Sequence, residues 1–493
     1  MHWRELQHLS RADRHALQNR LLRRFVEERL LPFSSYYRQL FAEHGLRAEH
    51  VQRVEDLARV PFTTKKDLAP SAEDPDRPRR FLLQPSRELI AAHWSRGKRA
   101  GLVARALLRG KRHVAAALRR EYYPIFMTFT TGRSAQPVPF LYTRHDLDIV
   151  SEAGARLCET LGFLPDERGL NVFPFAPHLA FWQVSLGAMQ VGNLMLHTGG
   201  GKVAGTEGNL RGISRLQPQN LLGVPGYIYH MLREARARGQ RVEGLRKIVL
   251  GADAVPAGLK LKLRTLCAEL GSPDVRVLGT YGFTEARMAF AECPTNDGSS
   301  SGYHVFPDFG IFEVIDPATG EVLPSEADGE LVFTPLQGRG TTIFRYRTGD
   351  LVQGGISEEP CPHCGRKLPR ISSKLSRATS VHSVSLKKVK GTLVDLEELG
   401  RILADDLEVE EWQVLLRKKD DDPHEVDELI VFIAPRPGCN EKSLEERLRS
   451  AIHSSCEVRP NEFRFLPIPA LLERVGMERE MKEKRFLDTR SLA

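Results

Sequence analysis

The sequence predicts an α/β fold: a large N-terminal α/β domain with a β-rich subdomain, then a small C-terminal α+β domain. Three observations carry this. Between about residues 168 and 283, short apolar runs bounded by Gly or Pro alternate with longer amphipathic segments, the pattern of a largely parallel sheet with crossover helices. From about Gly302 to Leu351 the chain changes to apolar runs separated by turn residues. After about Leu375 helix-like and strand-like segments alternate again, and the charge turns negative, with 20 basic and 24 acidic residues from Ser376 onward. The domains are therefore drawn at 1–375 and 376–493, with the boundary near 372–380.

In chain order, the first ~75 residues carry apolar positions at helical spacing and no strand-like alternation. In PFTTKKDLA, Thr63 or Thr64 can cap the next helix. The strands of the parallel sheet are read in GLNVFPF, GNLMLHT, NLLGVP, RKIVLGA and VRVLGTYG, and helices in YIYHMLREARARG and AGLKLKLRTLCAEL. DPATGE separates two alternating runs and predicts a hairpin, with GELVFTPL as the next strand. Gly199, Gly200 and Gly201 read as a flexible turn, because no helix clearly follows them.

Composition excludes several classes. Hydrophobic residues make up 41% of the 493-residue chain and charged residues 27%, as in ordinary globular proteins. No run approaches the roughly 18 apolar residues that span a bilayer. Seven cysteines in a long chain do not suggest a disulfide scaffold, and the charged N-terminus is unlike a secretory leader; both favour a cytoplasmic protein. The net charge of +8 comes from one stretch: residues 77–120 hold 13 Lys and Arg against one acid, Glu88, while the rest of the chain is net −4. Leu102, Val103, Ala106 and Leu107 lie there among Arg105, Arg109, Lys111 and Arg112, compatible with a basic amphipathic helix. Two readings follow: contact with a membrane surface or anionic partner, or a helical insertion packed on the body with a solvated basic face. Sparse aromatic residues and the absence of a known module argue against nucleic acid.

Three segments carry chemistry. Gly279-Thr280-Tyr281-Gly282-Phe283-Thr284-Glu285 follows the apolar run VRVL, at the carboxyl end of a predicted strand, where open α/β sheets bind ligands. Gly282 lets backbone approach closely; Thr284 offers a hydroxyl, and Glu285 a hard oxygen suited to Mg²⁺ beside phosphates. In Tyr346-Arg347-Thr348-Gly349-Asp350, the turn-held Asp350 can accept both hydroxyls of a ribose. The basic tail runs from Met481 to Asp488.

Together and in this order, these motifs resemble the adenylate-forming ligase superfamily, and most closely the phenylacetate–coenzyme A ligase family. RVEDLARVPFTTKKDL, GVPGYIYHML, IVLGADAVPAGLK, GELVFTPLQGRGTTIFRYRTGD, EEPCPHCGRKLPRIS and KVKGTLVDLEEL extend the resemblance along nearly the whole chain. The resemblance implies an ATP-dependent carboxylate–CoA ligase, acting on an aromatic or fatty acid through an acyl-adenylate, with ATP, Mg²⁺ and coenzyme A, and often a homodimer. Gly251, Ala252 and Asp253 would line the adenine site. Tyr281, Gly282 and Thr284 would contact the nucleotide, Glu285 would hold Mg²⁺, and Asp350 would bind ribose with Arg377 nearby. Lys482 takes the place of the catalytic lysine on a mobile small domain, with Lys484 the runner-up because the family's preceding Gly is Met481 here. Thr131, Gly132, Arg133 and Ser134 match the phosphate loop, but Ala135 and Gln136 replace its second Gly and its Lys. That departure leaves a catalytically degenerate relative as an alternative; another is adenylation for an amine or carrier-protein acceptor.

Cys361-Pro362-His363-Cys364-Gly365 is a CxxCG knuckle needing two more ligands for a tetrahedral zinc site. By resemblance to zinc-holding relatives, Cys293 and His304 complete a structural Zn²⁺ centre with Cys361 and Cys364; His363 competes, and a metal-free reduced CxxC is the other reading. Cys158, Cys267, Cys439 and Cys456 read as packing residues. The aromatic run from Asn171 to Trp182 corresponds to the superfamily's acyl pocket, with His178 and Phe181 as the substrate-facing candidates.

Overall fold

A computed structural model describes residues 2–130, 138–175, 178–295, 297–377, 386–389, 392–421, 426–480 and 483–490. The side chains of Arg377, residues 386–389, 392, 393 and 421 are not described. The expected positions Thr131, Gly132, Arg133, Ser134 and Lys482 lie outside the described residues.

The N-terminal region is helical, led by α1 (Arg11–Phe25) and α2 (Ser35–Glu43). Thr64 rather than Thr63 caps the short helix that follows, with Asp67 2.7 Å from its amide and hydroxyl. The buried Thr63 instead donates to the Phe344 carbonyl at 2.8 Å. The basic stretch forms a helical hairpin, α3 (Arg96–Arg109) and α4 (Lys111–Tyr122), turned at Gly110 with φ +86°. β1 (Pro124–Phe129) and β2 (Pro139–Thr143) make an antiparallel pair, and α5 (Arg144–Thr160) leads into the main sheet.

The main sheet alternates as its sequence demands. β3 (Arg168–Asn171) is followed by α6 (Leu179–Val191), β4 (Leu194–His197), α7 (Gly201–Leu216), β5 (Asn220–Gly223), α8 (Pro225–Ala237), β6 (Lys247–Leu250), α9 (Ala257–Glu269) and β7 (Arg276–Phe283). The parallel order is β4-β3-β5-β6-β7. Every residue of β5 and β6 is buried, which explains runs without polar alternation. Strand order reverses between β3 and β5, so the crevice beyond their carboxyl ends is where such sheets hold ligands.

β8 (Met288–Ala291) continues the sheet antiparallel to β7, and β9 (Tyr303–His304) follows it. β10 (Gly310–Ile315), β11 (Val322–Leu323), β12 (Gly329–Pro335) and β13 (Tyr346–Val352) form the expected hairpin region. β14 (Ile356–Ser357) and β15 (Arg370–Ile371) extend the main sheet beyond β9; β16 (Leu375–Arg377) pairs with β13. The Asp316 carboxylate accepts from the amides of Ala318 and Thr319 and closes the DPATGE turn.

The last part has its own core. β17 (Leu386–Val389) and β18 (Thr392–Asp395) form a ribbon. After α10 (Leu396–Asp405), β19 (Val409–Lys418) and β20 (Asp427–Pro435) pair antiparallel; α11 (Glu441–Cys456), β21 (Glu462–Phe465), α12 (Ile468–Val475) and β22 (Phe486–Asp488) complete a mixed sheet in the order β21-β20-β19-β22. Among the described residues, no helix is long and apolar enough to cross a membrane.

One expectation is met and one is corrected. The Gly279–Glu285 motif lies at the carboxyl end of its strand, as expected: its first five residues are the second half of β7, which leaves β6 at Gly279 and pairs with β8 from Thr280. Gly282 serves that pairing, since a Cβ there would stand 2.7 Å from Ala289 Cβ. The glycine run is not an open flexible turn, because α7 starts directly at Gly201. Gly200, at φ +77°, brings backbone so near β3 that a Cβ would lie 2.7 Å from the Val172 carbonyl oxygen.

Candidate active site

The two larger sheets meet where the motifs sit, and each lends the other a tyrosine. Tyr281 of β7 donates its hydroxyl hydrogen to Asp350 Oδ2 on β13 at 2.7 Å. Tyr346 of β13 donates to Glu285 Oε1, just past β7, at 2.8 Å. Asp350 and Tyr346 are buried, while Tyr281, Thr284 and Glu285 are half-buried. Two carboxylates are thus held by phenols from the opposite sheet. The backbone of Arg377 pairs with Asp350.

Gly251, Ala252 and Asp253 leave β6 beside this pair. Thr280 Oγ1 donates to the Leu250 carbonyl at 3.0 Å and would lie 2.3 Å from a Cβ on Gly251, so glycine permits the two strand ends to close. Ala252 turns left-handed at φ +68°, and both it and Asp253 are exposed.

At the switch point, Asn171 ends β3 and His197 ends β4. Asn171 Nδ2 donates to His197 Nδ1 at 3.0 Å, with Ser185 Oγ 3.3 Å from the same nitrogen. Burial holds the imidazole below its usual range, so it is neutral near pH 7, and the amide donor leaves its proton on Nε2. Phe181 is buried, its ring 5.0 Å from Phe175, 5.5 Å from Trp182 and 5.5 Å from His197. His178 stands at the start of α6 with Nδ1 3.4 Å from the Phe129 carbonyl. Sequence reasoning assigned no role to His197 or Ser185. The signal was a histidine closing an otherwise apolar strand immediately before a glycine run.

The C-terminal tail packs on these same strand ends. Glu478 Oε1 accepts from the amide and hydroxyl of Thr206 on α7. Glu483 is buried against Gly226, where a Cβ would stand 2.6 Å from its Oε1; burial raises its carboxyl pKa. Arg485 is ion-paired with Glu411, and both Glu483 and Arg485 lie within electrostatic reach of Asp253. Lys484 Nζ is paired with Glu480 at 2.7 Å. Further contacts join the C-terminal part to the main body. Tyr229 donates to Glu410 at 2.7 Å, the Gly258 amide to Asp405 at 2.7 Å, and Lys262 Nζ to the carbonyls of Ala404 and Val409 at 2.9 and 2.7 Å.

Cys293, His304, Cys361 and Cys364 converge, with their donor atoms all within 4.8 Å of one another. Cys293 Sγ is 3.7 Å from Cys361 Sγ, and Cys364 Sγ is 3.4 Å from His304 Nε2. His304 Nδ1 lies 3.2 Å from the Ala291 carbonyl, an arrangement that puts the ring proton on Nδ1 and turns the Nε2 lone pair toward the sulfurs. Three thiols and one imidazole at this spacing fit a closed tetrahedral zinc site. His363 is exposed and outside the cluster. The centre is tied to the active site: Glu292, next to Cys293, accepts from the Gly279 amide at 2.6 Å and pairs with Lys260 at 2.7 Å.

The architecture is that of the adenylate-forming CoA ligases. The structure of 2-hydroxyisobutyryl-CoA ligase in the postadenylation state superposes with a TM-score of 0.74 at 18% identity, covering 99% of this chain and 92% of that one. In its thioesterification state the same enzyme gives 0.61 at 19% identity, covering 99% and 93%. A model of the AMP-binding enzyme family matches residues 87–340, more than half the chain, and the protein belongs to that family. Within it the chain is phenylacetate–CoA ligase-like. It is 28% identical over 426 residues to phenylacetate-coenzyme A ligase of Thermus thermophilus (85% of this chain, 82% of the relative). It is 27% identical over 320 residues to that of Pseudomonas putida (64% and 61%).

Proposed function

We propose that this protein is an ATP-dependent carboxylate–CoA ligase, with residues 1–375 as the adenylating body and 376–493 as the small domain that carries the catalytic lysine. A carboxylate is a poor acyl donor because oxide is a bad leaving group. A carboxylate oxygen attacks the α-phosphorus of ATP, the bond to the β-phosphate oxygen breaks, and pyrophosphate leaves. The acyl-adenylate then accepts a coenzyme A thiolate at its carbonyl carbon; AMP departs with the bonding pair, and the thiol proton passes to solvent. Such transfer is chiefly positioning and neutralisation of spread negative charge.

The observation that carries this reading is the crosswise pairing Tyr281–Asp350 and Tyr346–Glu285 at the strand ends. Asp350 accepts from the ribose hydroxyls, with Arg377 nearby; Gly251, Ala252 and Asp253 border adenine, and Tyr281 and Gly282 flank the nucleotide. Thr284 offers its hydroxyl to phosphate. Glu285 would hold Mg²⁺, which neutralises phosphate charge when bound. Thr131, Gly132, Arg133 and Ser134 are assigned to phosphate contact and Lys482 to the adenylation step. The assignment of Lys482 draws support from Glu483, its neighbour, which packs against Gly226. The acid enters at the β3–β5 switch point, along His178 and the aromatic wall of Phe181, which suits an aromatic or fatty acyl group. Cys293, His304, Cys361 and Cys364 are assigned a structural zinc that fastens β8, and through Glu292 β7, to the knuckle.

The test is pyrophosphate release with ATP, Mg²⁺ and a panel of aryl and fatty acids, followed by thioester formation with coenzyme A, an amine or a carrier protein as acceptor. Release with at least one acid, lost in Glu285→Ala, and product only with coenzyme A are expected. ATP binding without release under any acid would overturn the catalytic reading.

A further inference from the structure

The α3–α4 hairpin carries a surface that the ligase reading does not use. Its base is anchored: Trp94 Nε1 donates to the Glu28 carbonyl at 3.2 Å, and Lys98 pairs with Glu28 at 2.5 Å. α4 lies against α5 and β2, whereas α3 lies against α4 and has no buried residue. Leu102, Ala106, Val114 and Leu118 are the half-buried apolar positions of the two helices. Val103, Leu107 and Leu108 face solvent instead, with 58%, 82% and 85% of their surface exposed. At the hairpin tip, residues 107–112, the two leucines adjoin Arg109, Lys111 and Arg112, all exposed. From Leu89 to Arg120 the sequence has no Asp or Glu.

We propose that this tip docks on the surface of an anionic lipid bilayer. Two requirements must be met together: something apolar to cover adjacent leucines, and something negative to receive a dense cationic cluster with no internal counter-charge. A nucleic acid would satisfy the arginines and leave the leucines in water. A second copy of the tip would cover the leucines but bring two cationic clusters face to face. An anionic bilayer meets both, because leucines enter the headgroup–acyl boundary while guanidinium and ammonium groups reach lipid phosphates. Gly110 turns the chain where the tip would enter, and the anchored base keeps the body outside.

The experiment is sedimentation of the full-length protein with vesicles of phosphatidylcholine alone and of phosphatidylcholine with about 30 mol% phosphatidylglycerol. Wild type should partition onto the anionic vesicles, weakly onto the neutral ones, and less as salt is raised. Leu107→Asp/Leu108→Asp should lower partitioning roughly tenfold or more, and Arg109→Gln/Lys111→Gln/Arg112→Gln should lower it to the level on neutral vesicles. Both variants alter exposed side chains and should keep the wild-type circular dichroism spectrum. Absence of partitioning onto anionic vesicles would overturn the proposal. So would equal partitioning of wild type and the leucine variant, or a duplex oligonucleotide bound equally by both in preference to vesicles, which identifies a polyanion site. A doubled mass in light scattering that the leucine variant abolishes would overturn it in favour of self-association.

Discussion

The hydroxyl of Tyr281 donates to the Asp350 carboxylate at 2.7 Å, although 69 residues separate them in the chain. The bond joins the last parallel strand of the main sheet to the β-rich region and fixes the Asp350 carboxylate. Replacing Asp350 by Ala removes the proposed ribose acceptor and should raise the KM for ATP by at least about tenfold. Tyr281→Phe leaves the acceptor but frees its orientation, so a smaller rise of roughly three- to tenfold is expected. Initial rates at varied ATP separate the two, and equal KM values in both variants and wild type would remove Asp350 from the nucleotide site.

Tyr346 bears the same relation to Glu285. Glu285→Gln keeps the size but removes the charge, and pyrophosphate release should fall about 100-fold or more. Tyr346→Phe should cost only a few-fold, since it orients the carboxylate without touching phosphate. Raised Mg²⁺ should recover part of the loss in Tyr346→Phe and little in Glu285→Gln.

Mutation separates the two tail lysines. Lys484 is occupied by its pair with Glu480; Lys482 is the assigned catalytic group. Lys482→Ala should lower adenylation by about 100-fold or more, whereas Lys484→Ala should leave it within roughly twofold. The reverse order would move the catalytic role to Lys484.

The sulfur and imidazole cluster predicts one zinc per chain by elemental analysis of protein purified without added metal. Cys361→Ser should lose that zinc and lower the unfolding temperature by several degrees, about the effect of a few kcal/mol in a chain of this size. Loss should also loosen β8 and its Glu292 contact to Gly279, seen as faster amide exchange at residues 279–283. Zinc-free protein with unchanged stability in the variant would leave a reduced CxxC.

Burial lowers the ammonium of Lys262 to a pKa of about 8 while its hydrogens serve the carbonyls of Ala404 and Val409. The docked lysine binds its proton less tightly than an exposed one, whose pKa is near 10.4, so the docked arrangement holds fewer protons. Docking of the C-terminal part is therefore weakest below about pH 8 and gains as the pH rises from there toward the exposed value. Protease nicking within the C-terminal part should slow over that interval in wild type and show no such trend in Lys262→Met.

The strands GLNVF, NLLG, RKIVL and VRVLG were legible because a parallel sheet covered on both faces needs near-continuous apolar runs, and periodicity records that need directly. The motif residues Tyr281, Glu285 and Asp350 were legible for a different reason: their chemical types occur in a fixed order along the chain. His197 was not, because a lone histidine at the end of LMLH looks the same whether it packs or faces a crevice; only β3 beside β4 brings Asn171 to its ring. The helix after Gly201 was missed since glycines at 199, 200, 201 and 205 weaken its local signal, and packing against β3 overrides that propensity.

By itself, the sequence determined most element types, the order of the chemical motifs and the placing of the net positive charge in residues 77–120, all properties of neighbouring residues and their spacing. The tertiary structure alone decided that each of two tyrosines serves an acid on the other sheet and that Leu107 and Leu108 point outward, and it brings Cys293 and His304 to the Cys361 knuckle as the family resemblance implied. Those are contacts, or their absence, between residues distant in the chain, and strand order and helix packing settle them where no local pattern can.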